Sequence, residues 1–152
     1  MASNSLLEGL VFARRIAAQL AEEMPPRRLP AHDPRTAGVV DAGVMPVMQQ
    51  VMSKYAGGLR DAAGLERGRL ELARLAEQQG TEPGLESWEA TNLMTVATAV
   101  VASARLREES RGAHWRDDFE GRREAWQGHL ITERDGAGSI QHHFVPSAGV
   151  AE

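Results

Sequence analysis

Apolar positions recur at helical spacing in several stretches of this chain, and the first begins almost at once. Leu6, Leu7, Leu10, Val11, Phe12, Ile16 and Leu20 recur at helical spacing, with only Glu8, Arg14, Arg15 and Gln19 to face water before Pro25-Pro26 stops the run. Ser5 and Glu8 stand at capping-box spacing, which predicts a helix start near Leu6. The apolar face of this helix is unusually wide, so it needs packing on more than one side. Ser3, Asn4 and Ser5 surround a helix N-terminus, where unsatisfied N–H groups and the positive end of the helix dipole favour an anion or a polarised carbonyl.

Five prolines with Gly38 and Gly43 mark residues 25–46 as an extended linker. Helical pattern resumes at Val47, Met48, Val51, Met52, Tyr55 and Leu59, weakened by Gly57-Gly58 at about 1 kcal/mol per glycine relative to alanine. A kink or a close backbone approach is expected there. Leu65, Leu70, Leu72 and Leu75 carry a helix that Gly80, Pro83 and Gly84 end. Trp88, Leu93, Val96, Ala97, Val100, Val101 and Ala104 predict the longest amphipathic helix, closing near Arg111-Gly112 with the glycine as C-cap. Short connections imply antiparallel packing. Beyond Gly112 periodicity changes: Leu130-Ile131-Thr132 and Ile140 to Phe144 flank Asp135-Gly136-Ala137-Gly138, which reads as a β-hairpin lying on another surface. The fold class is therefore mainly α. Its parts are an N-terminal helix (1–24), a linker (25–46), a bundle of about three helices (47–121) and a tail with a hairpin (122–152).

Composition removes several possibilities. A formal charge of −4 with interspersed signs gives no reason to expect nucleic acid or an anionic membrane surface as partner. The absence of cysteine removes disulfides, thiol catalysis and cysteine zinc sites, and is compatible with a reducing cytoplasm. No uncharged apolar run is long enough to span a bilayer, and no secretory signal opens the chain, so it reads as soluble and cytoplasmic.

Catalytic motifs are equally sparse. Gly136-Ala137-Gly138 lacks the third glycine and the strand-to-helix context of a dinucleotide loop. His142-His143 would point to opposite faces of a strand, which argues against a shared metal; His32 and His129 read as solvated. The run E-E-S-R-G-A-H-W-R-D-D-F at 108–119 offers arginine forks suited to bidentate carboxylate contacts, and is read as an ion-pair cluster fixing the tail to the bundle. No catalytic residue and no metal ligand is assigned.

Three blocks, A-S-N-S-L-L-E-G-L-V-F (2–12), E-A-T-N-L-M-T-V-A (89–97) and R-E-E-S-R-G-A-H-W-R-D-D-F (107–119), resemble the C-terminal part of the L-aspartate oxidases. These belong to the succinate dehydrogenase and fumarate reductase flavoprotein superfamily. The E-S-R-G-A-H block is common to the superfamily, whereas the S-N-S-L-L-E form favours the oxidases over the dehydrogenases. The resemblance implies FAD as cofactor, with Ser5 and Leu6 as the flavin-contacting pair. It implies oxidation of L-aspartate to iminoaspartate, the first step toward quinolinate and NAD. It also implies FAD-binding and capping domains as the partners of this segment. The arginine that the family places just before the segment, the phosphate-binding glycines and the substrate-domain histidine and arginine have no counterpart here, so the 152-residue chain alone is expected to show no turnover. Two other readings are a segment of a dehydrogenase flavoprotein subunit and a non-catalytic docking module of a split flavoenzyme. The wide apolar helix face would also support self-association.

Overall fold

The computed structural model describes residues 5–24, 26–29, 38–135 and 139–147. The chain divides into two units, residues 1–35 and 36–152. The first contains helix α1, Ser5–Glu22, continued for a fraction of a turn by the Glu23 N–H donating to the Gln19 carbonyl at 2.8 Å. Every large apolar side chain of α1 is exposed, from Leu20 at 45% to Leu6 at 85%. The two prolines that follow supply no N–H and restrict the preceding backbone, which accounts for the stop.

The second unit holds α2 (Met45–Tyr55), α3 (Ala62–Ala76), α4 (Leu85–Leu106) and a two-stranded antiparallel sheet of β1 (Gly128–Arg134) and β2 (Ile140–Pro146). Helix α3 packs on both α2 and α4. The buried core draws on Val44, Met48, Val51, Leu65, Leu72 and Leu75 from the first part of the unit and on Met94, Ala97, Val101 and Ala104 from α4. Gly68 brings α3 close to α2: a Cβ there would stand 3.1 Å from the Tyr55 Cβ.

The expected linker requires correction over its second half. Val39, Val40 and Val44 are buried, and residues 38–46 belong to the packed unit. Val40 donates to the Thr91 hydroxyl at 2.9 Å, Asp41 to the Gln78 carbonyl at 2.9 Å, and Gly80 to the Val39 carbonyl at 2.7 Å, which pins this segment to the α3–α4 connection. Proline and glycine here mark turns rather than a free tether. Asp41 caps a 3-10 turn, Ala42–Val44, and Pro46 sits in the first turn of α2, where no N–H is needed.

The Gly57-Gly58 pair ends a helix instead of kinking one. Helix α2 stops at Tyr55, and a Cβ on Gly57 would stand 2.6 Å from the Ser53 carbonyl oxygen. Of the leucines that carry α3, Leu70 is exposed; the buried stripe is Leu65, Gly68, Leu72 and Leu75.

The end of α4 differs as well. It closes at Leu106, six residues before Gly112, which instead takes φ +59° in the tight turn joining Arg111 to His114. A downstream arginine does the work expected of glycine. Arg116 is 1% exposed, and its Nη1 donates to the carbonyls of Ala104 at 2.9 Å and Arg105 at 3.2 Å. These are carbonyls that a helix terminus leaves without partners.

The hairpin pairs Gly128 with Pro146 through Arg134 with Ile140. Leu130, Thr132, Ile140, His142 and Phe144 are the less exposed positions, in the alternation expected of strands with one covered face. Ser103 of α4 and Thr132 share a 2.8 Å hydrogen bond, and Trp126 meets Phe144 edge to face at 5.4 Å. Residues 136–138, the glycine turn read from sequence, lie outside the described residues, as does His32.

Candidate functional site

Two places are candidates for a site, one in each unit. Ser5 is the first residue of α1 and Leu6 the second. The backbone N–H groups of that first turn have no acceptor within the helix, and they carry its positive dipole end. The Ser5 side chain lies outside the described residues, so the capping box with Glu8 does too. Leu6 presents an apolar side chain to its surroundings at 85% exposure.

The second place is the polar cluster of residues 107–123, built on one buried carboxylate. Glu109 is 0% exposed. It accepts from Arg111 Nε at 2.9 Å, Arg111 Nη2 at 3.1 Å, the Arg123 backbone N–H at 2.9 Å and Arg107. Burial alone would push its carboxyl up, but the bonds from Arg111, from the Arg123 N–H and from Arg107 hold it down at about 2. A buried carboxylate with this many donors stays ionised and is fully occupied.

Arg107 ties the cluster to the hairpin, donating to the carbonyls of Trp126 at 3.0 Å and Gly128 at 2.9 Å while its guanidinium stacks 5.5 Å from the Trp126 ring centre. Arg116 forms a bidentate pair with Asp118, at 2.7 and 2.8 Å. The Arg116 bonds, opposed by burial and aided by the Ala62 N–H, bring Asp118 down to about 2. Through Ala62 the same carboxylate caps α3, at 2.9 Å.

His114 completes the arrangement. Its Nδ1 accepts from Arg60 Nη1 at 2.9 Å, and its Nε2 donates to the Arg107 carbonyl at 3.1 Å, which defines one neutral tautomer. Burial lowers its pKa first; the bond to the Arg107 carbonyl opposes this, and the charges of Arg60, Arg116 and Arg107 lower it further. Arg60 was not singled out by the sequence, because its role depends on a fold that brings residue 60 beside residue 114. The only cue was its place two residues after the glycine pair.

The arginine forks of the 108–119 run are thus engaged with Glu109, Asp118 and main-chain carbonyls. His142 and His143 lie on opposite faces of β2, with His142 Nδ1 at 3.0 Å from the Thr132 hydroxyl and His143 exposed. No helix among the described residues is long and apolar enough to cross a membrane.

Comparison with known proteins agrees with this architecture. The family model described as fumarate reductase flavoprotein C-term matches residues 46–147, which takes in the bundle, the polar cluster and the hairpin. An L-aspartate oxidase of Streptomyces coelicolor is 38% identical over 152 residues, covering 86% of this chain and 26% of its own length. One of Rhodospirillum rubrum is 37% identical over 124 residues, covering 78% and 43%. The chain therefore spans between a quarter and a half of the length of these two relatives. Among solved structures, a quinol fumarate reductase of E. coli superposes with a TM-score of 0.60 at 19% identity over 96% of this chain and 26% of that one. Adenylylsulfate reductase of Archaeoglobus fulgidus gives 0.61 at 21% identity over 100% and 26%. At that identity the structural likeness concerns the fold alone. With bundle, cluster and hairpin matched in order, the chain belongs to the fumarate reductase flavoprotein C-terminal family.

Proposed function

We propose that this chain acts as the C-terminal part of an FAD-dependent L-aspartate oxidase, working in the cytoplasm in concert with FAD-binding and capping domains. The reading is supported by curated relatives at 30–38% identity that carry the name L-aspartate oxidase. The observation that carries it is the start of α1: a helix N-terminus at Ser5, followed by an exposed apolar residue at Leu6, in the segment that resembles the oxidases.

The residues present fit one edge of a flavin and not the whole cofactor. Backbone N–H groups at the helix start suit an electron-rich ring oxygen on which negative charge grows during reduction. Leu6 suits the apolar ring. For a pyrophosphate the chain has no glycine-rich loop between strand and helix. When bound, FAD would supply the hydride acceptor for the amino acid; Ser5 and Leu6 would orient and screen one side of it. The apolar face of α1 is then the surface covered by the FAD-binding domain, and self-association through the same face is the alternative fate of the free chain.

The test is the visible spectrum of the purified chain incubated with FAD, alone and with the separately produced FAD-binding and capping portion of the Streptomyces coelicolor relative. The expected result is a colourless chain alone, and flavin retention with aspartate-dependent peroxide production in the mixture. Leu6→Asp should remove most of that production while leaving the bundle folded. Flavin held by the chain alone, or a mixture as inactive as its parts, would overturn the reading.

A further inference from the structure

Arg60, which reaches the polar cluster through His114, has no carboxylate to answer its charge among the described residues. Arg107 and Arg111 share Glu109, and Arg116 has Asp118. Arg60 has only neutral partners: Nε donates to the carbonyls of Ala56 at 3.1 Å and Gly57 at 2.8 Å, and Nη1 to His114. That leaves its Nη2 without an acceptor among the described residues. The neighbouring Asp61 carboxylate is turned to the Gly64 N–H at 2.8 Å, where it caps α3.

Arg60 lies at the edge of an open groove of about 560 Å³ between α4, β1 and the cluster. Arg60, Arg107, His114 and His129 supply its polar lining, and among the described residues no carboxylate lines it. Val96 and Val100 of α4 and Leu130 and Ile131 of β1 supply apolar lining. Val96 is 59% exposed and Ile131 36%, so this apolar surface is open to a ligand. A surplus positive charge in the lining of a groove that is otherwise largely apolar is complementary to one chemistry in particular.

We propose that this groove binds a carboxylate carried on a short aliphatic body, with the carboxylate on Arg60 Nη2 and the aliphatic part against Val96, Val100 and Leu130. A charge-assisted pair with a guanidinium is stronger than a neutral hydrogen bond, and the half-buried setting of Arg60 limits screening. His114 is neutral at pH 7.5, with Nδ1 taken by Arg60, so it orients the guanidinium instead of competing for the ligand. The carboxylate can arrive on a free organic acid or on an acidic residue beside an apolar one in a polypeptide.

The experiment follows the His114 ring resonances of the full 152-residue chain by NMR at pH 7.5 during titration with 4-methylpentanoate, and separately with the capped dipeptide acetyl-Leu-Glu-amide. Either probe should give a saturable shift, and the one that binds more tightly assigns the source. 4-Methylpentanamide, of the same shape without charge, should give none. Arg60→Gln should weaken binding at least about tenfold, a loss of about 1.4 kcal/mol. Arg60 also caps α2, so a second variant guards against a folding defect. Val96→Glu, at an exposed position, places a carboxylate in the groove and should abolish binding with the fold intact. No saturable shift with either probe, an equal shift with the amide, or unchanged binding by Val96→Glu would overturn the proposal. None of these outcomes depends on flavin, so they are separable from the test of the oxidase reading.

Discussion

Glu109 shows how much of this protein's stability is concentrated in single charged residues. It is fully buried and bound by two arginines and a backbone N–H, so removing its charge leaves Arg107 and Arg111 without their counter-ion. Breaking one side of a buried ion pair is costly, and Glu109→Gln is expected to destabilise the bundle by about 3 kcal/mol in urea unfolding. The pH dependence follows from the same residues. The His114 pKa is lowered from 6.5, so the unfolded chain takes up that proton first and stability begins to fall as pH drops through the mid-6 range. Glu109 and Asp118 are held at about 2, below their ordinary 4.5 and 3.8, so their contributions are complete above those ordinary values and are lost as pH falls toward 2. Thermal melts at pH 7.5, 5.5 and 3 should therefore descend in two stages. His114→Gln should remove the first stage and leave the second. A flat profile between pH 7.5 and 5.5 in the parent would contradict the arrangement around His114.

The dense charge of 108–119 was legible as an ion-pair cluster, because so many arginines and acids within twelve residues have few other uses. Which arginine meets which acid was not. Arg116 reaches back to α4 and Arg60 reaches forward to His114, and neither distance is encoded locally.

Among the elements, α4 is the most informative. Its sequence carries apolar residues on two sides, and periodicity alone does not choose between them. The fold buries Ala90, Met94, Ala97, Val101 and Ala104, and leaves Trp88, Val96 and Val100 exposed. Smaller side chains let α3 approach, while the bulkier ones remain for other surfaces. Period gives the existence of such a helix; which of two apolar stripes turns inward depends on the partner's shape. The hairpin was easier, since a glycine-rich turn between β-branched and aromatic runs leaves few alternatives. Its first residue is constrained more tightly than the sequence suggests: a Cβ on Gly128 would collide with the Val145 carbonyl oxygen and the Phe144 ring. Gly128→Ala should therefore open the hairpin and abolish amide exchange protection in β1 and β2, while α2 to α4 keep theirs. Retained protection in both strands would show that the backbone can yield there.

At the scale of the whole molecule, the described core is drawn from the second unit. None of the core residues comes from α1. Leu10→Asp should accordingly leave the melting of the bundle unchanged and act only on association, read as a smaller sedimentation coefficient at high concentration or as lost reconstitution with the FAD-binding portion of a relative. His142→Ala should alter neither, beyond the loss of one hydrogen bond to Thr132. A bundle destabilised by Leu10→Asp would mean that α1 supports the core. The wide apolar face of α1 was readable from sequence. What covers it was not, because that information belongs to the covering surface.

The capping of α4 by Arg116 also bears on how the chain is made. During synthesis from the N-terminus, the last turn of α4 leaves the ribosome about ten residues before the guanidinium that closes it, and Asp118, which holds that guanidinium and caps α3, follows two residues later. Helices α2 and α3 can meet while translation continues, but the bundle has no closed end until residue 118 has cleared the exit tunnel. A stalled nascent chain should become protease-resistant abruptly at that length, and the polar loop acts as the latch of cotranslational folding.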